Sequence, residues 1–175
     1  MPAPANVYGA SKLAGEIAVA AAAPGAAIVR ACGIFSGRGQ DFPSAMWRLA
    51  YERAPIRVVT DQFVSPIHAD DLADRLLALA LRPDAAGLFH AAAEGARWFD
   101  VAQAALEALA EAGGPIRKPE PITSAAFPRP ARRPADSRLS GTRLREVTGL
   151  ADSDWRSSLR VALTRWLAHR PNGNG

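Results

Sequence analysis

Cysteine is almost absent from this chain: the single Cys32 excludes an internal disulfide framework. Histidine is scarce as well. His68, His90 and His169 are scattered and, with one cysteine, offer no metal-ligand spacing, so no metal site is expected. No apolar run is long and charge-free enough to span a bilayer. The first six residues lack the basic start of a signal peptide. A cytoplasmic protein with no membrane partner is the expectation. Lysine is the most informative shortage. Of 21 basic residues only Lys12 and Lys118 are lysines, the rest being arginine.

What is present is ordinary for a globular protein: 175 residues, 49% hydrophobic and 22% charged, enough for one domain with a core. The net charge is +4. Arginine in place of lysine, beside abundant alanine, reads as coding bias rather than nucleic-acid binding. Arg129, Arg132, Arg133 and Arg138 cluster without interleaved aromatics, and no nucleic-acid partner is expected.

Strands and helices alternate over the first ninety residues. Residues 8–23 form an alanine-rich helix stopped by Pro24-Gly25. Residues 26–31 are a short apolar strand, and 33–41 a loop with three glycines. Helix 43–53, strand 56–59, a loop over 60–68 and a helix from Asp70 or Asp71 to Leu81 follow. On the last of these Leu72, Leu76, Leu77 and Ala80 share one face. Strand 88–91 and helix 99–112 come next. Residues 115–138 are rich in proline and arginine and read as a long loop, followed by helices 139–147 and 155–167. Such alternation predicts an α/β fold with parallel strands, with only three or four strands and none before the first helix.

Tyr8 and Lys12 lie four apart on the first helix, so they share a face. A phenol with an ordinary pKa of about 10 is protonated at neutral pH. An ammonium beside it stabilises the phenolate, and the phenol can then exchange a proton with a substrate oxygen. With two tyrosines and two lysines in 175 positions, chance gives the spacing with a probability of about 0.02.

The flanking residues sharpen this. Asn6-Val-Tyr-Gly-Ala-Ser-Lys-Leu-Ala-Gly-Glu16 resembles the active-site helix of extended short-chain dehydrogenases/reductases, most closely the dTDP-4-dehydrorhamnose reductase family. Ile28-Val-Arg30, Val58-Val-Thr-Asp-Gln62 with Ser65-Pro66, Asp71-Leu-Ala-Asp74 and Gly87-Leu-Phe-His90 are similar to its later motifs. So are Trp98, Pro121-Ile-Thr-Ser124, Phe127-Pro128, Arg133-Pro134, Ser137-Arg-Leu139 and Trp155 to Leu159. The likeness runs in order along nearly the whole chain.

The resemblance implies the C-terminal part of a Rossmann-type parallel sheet plus a small substrate-binding subdomain. Residues 1–60 would end the dinucleotide-binding fold, 61–170 would be mostly substrate-binding, and 171–175 a disordered tail. It implies reduction of a 4-keto nucleotide sugar, dTDP-4-dehydro-L-rhamnose, by NADPH or NADH. Tyr8 would protonate the new alkoxide, and Lys12 would tune Tyr8 and hold the nicotinamide ribose, making both catalytic and cofactor-binding. Arg133, in the family-like Arg-Pro pair, and Gly33 would be substrate-binding.

Departures from the pattern are equally specific. Gly33, Gly37 and Gly39 do not have the spacing of a phosphate-binding loop. No Ser or Thr precedes Tyr8 to complete a triad. Ala31-Cys32-Gly33 stands where the family often has Thr-Ser-Trp, which leaves the sugar open. The chain therefore reads as lacking the cofactor-binding half, with exposed apolar faces and self-association expected. The alternative is a non-catalytic nucleotide-sugar-binding or regulatory module of the same fold. His68, His90 and Cys32 are expected to be structural, Trp47, Trp98, Trp155 and Trp166 to serve the core, and Asp70, Asp71 and Asp74 to favour a helix N-terminus.

Overall fold

A computed structural model describes residues 2–169; the expected tail at 171–175 lies outside them. Helix α1, Val7–Ala22, starts where the Asn6 side chain accepts a hydrogen bond from the Gly9 amide. After the turn at 24–25 comes strand β1, Ala27–Ala31, then β2, Ile34–Phe35. Helix α2, Phe42–Ala50, is capped by Asp41, which accepts from the Ser44 amide, and carries Pro43 in its first turn, where no amide is needed. Strands β3, Arg57–Val59, β4, Phe63–Val64, and β5, Ile67–His68, precede helix α3, Ala69–Ala80. Then follow β6, Gly87–Ala91, β7, Ala96–Arg97, helix α4, Trp98–Glu111, β8, Glu120–Ile122, and β9, Asp136–Ser137. Helices α5, Thr142–Thr148, and α6, Trp155–His169, complete the described chain.

The strands make four small sheets. β1 pairs with β6, β2 with β5 and β3 with β8, all parallel. β4 lies between β9, parallel, and β7, antiparallel. The expected α/β class with parallel pairing is therefore present, with nine strands among the described residues instead of three or four. The extra strands are mostly two residues long.

Two apolar clusters hold these sheets. In the larger, α2, α4 and α6 pack on β3 and β4 through Trp47, Ile56, Val58, Leu106, Leu109, Trp155 and Leu159. Trp47 is fully buried and its Nε1 donates to the Ala105 carbonyl at 2.8 Å. In the smaller, Ile67, Leu79, Phe89, Ala91 and Leu144 join α3 and α5 to β5 and β6. Trp98 and Trp166 pack against the larger cluster while partly buried. All four tryptophans thus serve the core. Gly37 (φ 72°) lies so close to α6 that an added Cβ would meet the Ala162 carbonyl oxygen at 1.9 Å.

Three expectations need correction. The face of α3 expected to be buried is largely open: Leu76 and Leu77 are exposed, while Arg75 and Leu79 are buried. Arg75 is accommodated because its guanidinium donates to the carbonyls of Asp71 and Ala151. Asp70 and Asp71 stand in the first turn of α3 as expected, but the side chain that caps it is the buried His68, whose Nδ1 accepts from the Asp70 amide at 3.2 Å. Asp70 pairs instead with Arg165, and Asp71 accepts from the Ser158 hydroxyl. Finally, 115–138 is not one loop, since β8 and β9 tie it into two sheets.

Candidate active site

Helix α1 reaches β1 through the short turn at 23–26, so it runs back antiparallel to the strand. One bidentate contact fixes its height: Arg30 on β1 donates from Nε and Nη2 to the two Glu16 carboxylate oxygens at 2.7 and 2.6 Å. At about 1.5 Å per residue, Lys12 lies about 6 Å and Tyr8 about 12 Å beyond Glu16 along the helix. At about 3.3 Å per strand residue, Tyr8 is then level with a point three or four residues past Arg30. That point is Gly33–Ile34, outside the C-terminal end of β1. Open parallel sheets bind ligands at this end.

The dyad itself is open. Tyr8 is 71% exposed, and the Lys12 Nζ stands 5.4 Å from the centre of its ring. This is a cation–π distance, with both groups on one solvent-facing side. Asn6 does double work here. Its Oδ1 caps the helix, and its Nδ2 donates to the Arg132 carbonyl at 2.8 Å. The arginine-rich segment is thereby brought beside the first turn of α1, although 126 residues separate the partners.

The arginines of that segment have different employments. Arg138 pairs with Asp136 at 2.6 Å and lies 4.7 Å over the Phe63 ring; its guanidinium holds the Asp136 carboxyl down to about 2. Arg129 lies 4.5 Å over Phe127. Arg133 is exposed and makes no ion pair among the described residues, leaving its guanidinium open to an anion.

Gly33 stands at the end of β1 with φ 59°. An added Cβ would meet Val64 Cγ2 at 2.7 Å and Pro66 Cα at 3.2 Å, so its side-chain direction is filled by protein. Cys32 beside it donates to the Ser137 carbonyl at 3.0 Å and accepts from the Ser65 amide at 3.4 Å. Burial pushes the thiol's pKa up, against the Ser65 contact and with the Asp136 charge adding to the rise. The thiol stays protonated, which removes it as a nucleophile. Ser65, itself buried, accepts from the Leu139 amide. Residues 32–33, 64–66 and 137–139 thus lock together at this end.

A second lock joins distant motifs. The Asp61 carboxylate accepts from the Ser124 amide at 3.0 Å and hydroxyl at 2.8 Å, while Gln62 Nε2 donates to the same hydroxyl at 2.8 Å. These bonds hold the Asp61 carboxyl below its usual range, the Ser124 amide first. Clefts open elsewhere. One, of about 520 Å³, is lined by Gly95, Ser140, Thr142, Asp152 and Trp155; another, of about 610 Å³, by Gly37, Arg38, Arg48, Tyr51 and Trp166. Tyr8, Lys12 and Arg133 line neither.

The structure therefore brings the segment bearing Arg133 beside the first turn of the helix that carries Tyr8 and Lys12, while Gly33 stands at the end of β1. Spacing had singled out Tyr8 and Lys12. It passed over Asn6, Glu16 and Arg30, although Glu16 continues the four-residue step from Tyr8 through Lys12, and an Asn just before a helix is a capping signal. No group of three or more His, Cys, Asp or Glu that could hold a metal ion occurs among the described residues. None of their helices is long and apolar enough to cross a membrane.

Known proteins share both sequence and fold. The dTDP-4-dehydrorhamnose reductase of Mycobacterium tuberculosis (strain H37Rv) is 44% identical over 164 residues, covering 92% of this chain and 53% of the relative. The crystal structure of a dTDP-4-dehydrorhamnose reductase from Clostridium acetobutylicum superposes with a TM-score of 0.84 at 30% identity, over 94% of this chain and 57% of that one. The Bacillus anthracis dTDP-4-dehydrorhamnose reductase in complex with NADP gives 0.82 at 30% identity, over 93% and 57%. This chain spans about half the length of the curated relatives it matches. The match to the RmlD substrate binding domain extends over residues 1–167, and the chain belongs to that family.

Proposed function

We propose that this chain supplies the proton-transfer dyad and substrate-binding part of an oxidoreductase that reduces the C4 ketone of dTDP-4-dehydro-L-rhamnose to dTDP-L-rhamnose. The observation that carries this reading is the exposed Tyr8–Lys12 pair on α1, with the 129–133 segment tied beside it by Asn6. Reduction of a ketone needs a hydride on carbon and a proton on oxygen. Tyr8 offers a phenolic proton on an open face, and the Lys12 ammonium stabilises the phenolate left behind. Arg133 is the anion-facing group for the diphosphate, since a guanidinium grips phosphate oxygens in pairs. Gly33, at the end of β1, is the backbone position offered to the sugar.

Tyr8 and Lys12 suit the nicotinamide–ribose end of NADPH or NADH, which supplies the hydride when bound. The glycine segment does not suit the pyrophosphate. The Cβ directions of Gly33 and Gly37 are occupied by Val64, Pro66 and the Ala162 backbone, so these glycines serve close packing within the protein. That same observation favours a second reading, a non-catalytic nucleotide-sugar-binding module.

One experiment separates the two. The chain is fused behind the nucleotide-binding half of a relative, and reduction of dTDP-4-dehydro-L-rhamnose is followed by NADPH absorbance. Turnover that falls by about 10²–10⁴-fold in Tyr8→Phe supports the reductase. Binding of the keto sugar nucleotide without turnover supports the module.

A further inference from the structure

Glu16, Arg30 and His90 come from three separate segments and meet on one face of the β1–β6 sheet. Arg30 and His90 are register partners on the neighbouring strands, so their side chains leave the sheet on the same side. Arg30 grips Glu16 through two parallel N–H···O bonds. The Glu16 carboxyl is held below its usual range, by the Arg30 hydrogen bond first and by the charges of Arg30 and His90 in smaller part. The Nε2 of His90 is buried and has no hydrogen-bond partner among the described residues.

Helix α1 has no fully buried residue and half-buries only Gly9, Leu13 and Glu16, so apolar packing alone does not set its position. Two polar ties do, the Asn6–Arg132 bond before its first turn and the Glu16–Arg30 pair ten residues later, about 15 Å along the axis. Tyr8 and Lys12 lie between them. Each four-residue step from Tyr8 to Lys12 to Glu16 rotates by only about 40°. The rotation that seats Glu16 on Arg30 therefore also sets the direction of the dyad.

We infer that the Glu16–Arg30 pair, backed by His90, positions Tyr8 and Lys12 by fixing the rotation and height of α1 on the sheet. This rests on the reductase reading for its functional consequence, though not for its structural one. An ion pair serving as surface decoration has little effect wherever it sits; a positioning pair acts on one helix in particular.

Arg30→Met keeps the aliphatic stem and removes the fork. In the full chain, amide hydrogen exchange of α1 is expected to rise by about tenfold or more while α4 is unchanged, and the charge-swapped Glu16→Arg/Arg30→Glu protein is expected to recover protection. Unchanged exchange in α1, or an equal rise in α1 and α4, overturns the proposal. In the fused protein, Arg30→Met is expected to lower kcat by about tenfold with KM for the keto sugar nucleotide unchanged; an unchanged kcat overturns the positioning role. A fused protein that never turns over sinks the reductase reading instead, and the exchange measurement then decides alone.

Discussion

Helices α1 and α4 are close in length, 16 and 14 residues, and both are rich in alanine, yet they are held in opposite ways. α4 buries Val101, Ala102, Ala105, Leu106, Ala108 and Leu109 against α2, α6 and β3. α1 has no fully buried residue and is tied at two polar points. The alanines of α4 let neighbouring helices approach closely, and the larger side chains fill the gaps. The alanines of α1 supply helix propensity alone. Apolar content does not decide burial; a facing partner does. Among the described α-helices, the one that carries the dyad is the one with no fully buried residue, in keeping with the tendency of functional elements to come from the less stable end of a fold.

The sharpest break in this comparison comes from the core. Trp47→Ala removes a fully buried indole and its bond to the Ala105 carbonyl of α4. We expect a loss of about 3–5 kcal/mol in urea unfolding, with the transition still cooperative. A loss under about 1 kcal/mol would show that the α2–α4–α6 cluster is not the stabilising centre.

Acid should separate the two helices next. The Glu16 carboxyl has a folded value below its ordinary 4.5, chiefly because Arg30 donates to it. A depressed folded value means that its contribution is complete above about pH 4.5 and is lost as the pH falls through the folded value. Arg30, whose own pKa the pair raises, stays charged over that range, so nothing replaces the lost carboxylate. Protection factors in α1 should therefore fall in acid before those in α4, read by exchange corrected for intrinsic rates. Simultaneous loss in both helices would mean that Asp70 or Asp100, whose carboxyls are also held low by arginine partners, governs acid behaviour instead.

How much of this was legible depends on distance along the chain. Helices α2 and α4 were readable from period and flanking residues, and β3 from the short apolar run after Pro55. β2, β4, β5, β7 and β9 were not, because two residues carry no alternation to read. β8 was hidden by Pro121, which a strand tolerates only where its amide is not needed; β8 has a neighbour on one side alone, β3. On α3 the leucine stripe suggested one face, and the buried Arg75 shows that the other won, through carbonyl acceptors supplied by Asp71 and Ala151. The dyad was legible because its two members are four residues apart. The bonds Asn6–Arg132 and Asp61–Ser124 were not, being set by tertiary folding across 126 and 63 residues.

The smallest expected effect bears on the comparison most directly. Ile17 on α1 is 62% exposed, and Val19 and Val7 are exposed with it. If α1 is as open in solution as this, Ile17→Ala removes little buried area and gains slightly in helix propensity, so the stability change should lie within about 0.5 kcal/mol. A loss above about 1 kcal/mol would mean that something covers this face. Protein concentration then tells what: a loss that grows with concentration, together with a larger species in sedimentation, points to a second copy of the chain, because only association makes stability depend on concentration. A loss independent of concentration would place Ile17 in the chain's own core, and α1 would no longer be the polar-tethered counterpart of α4.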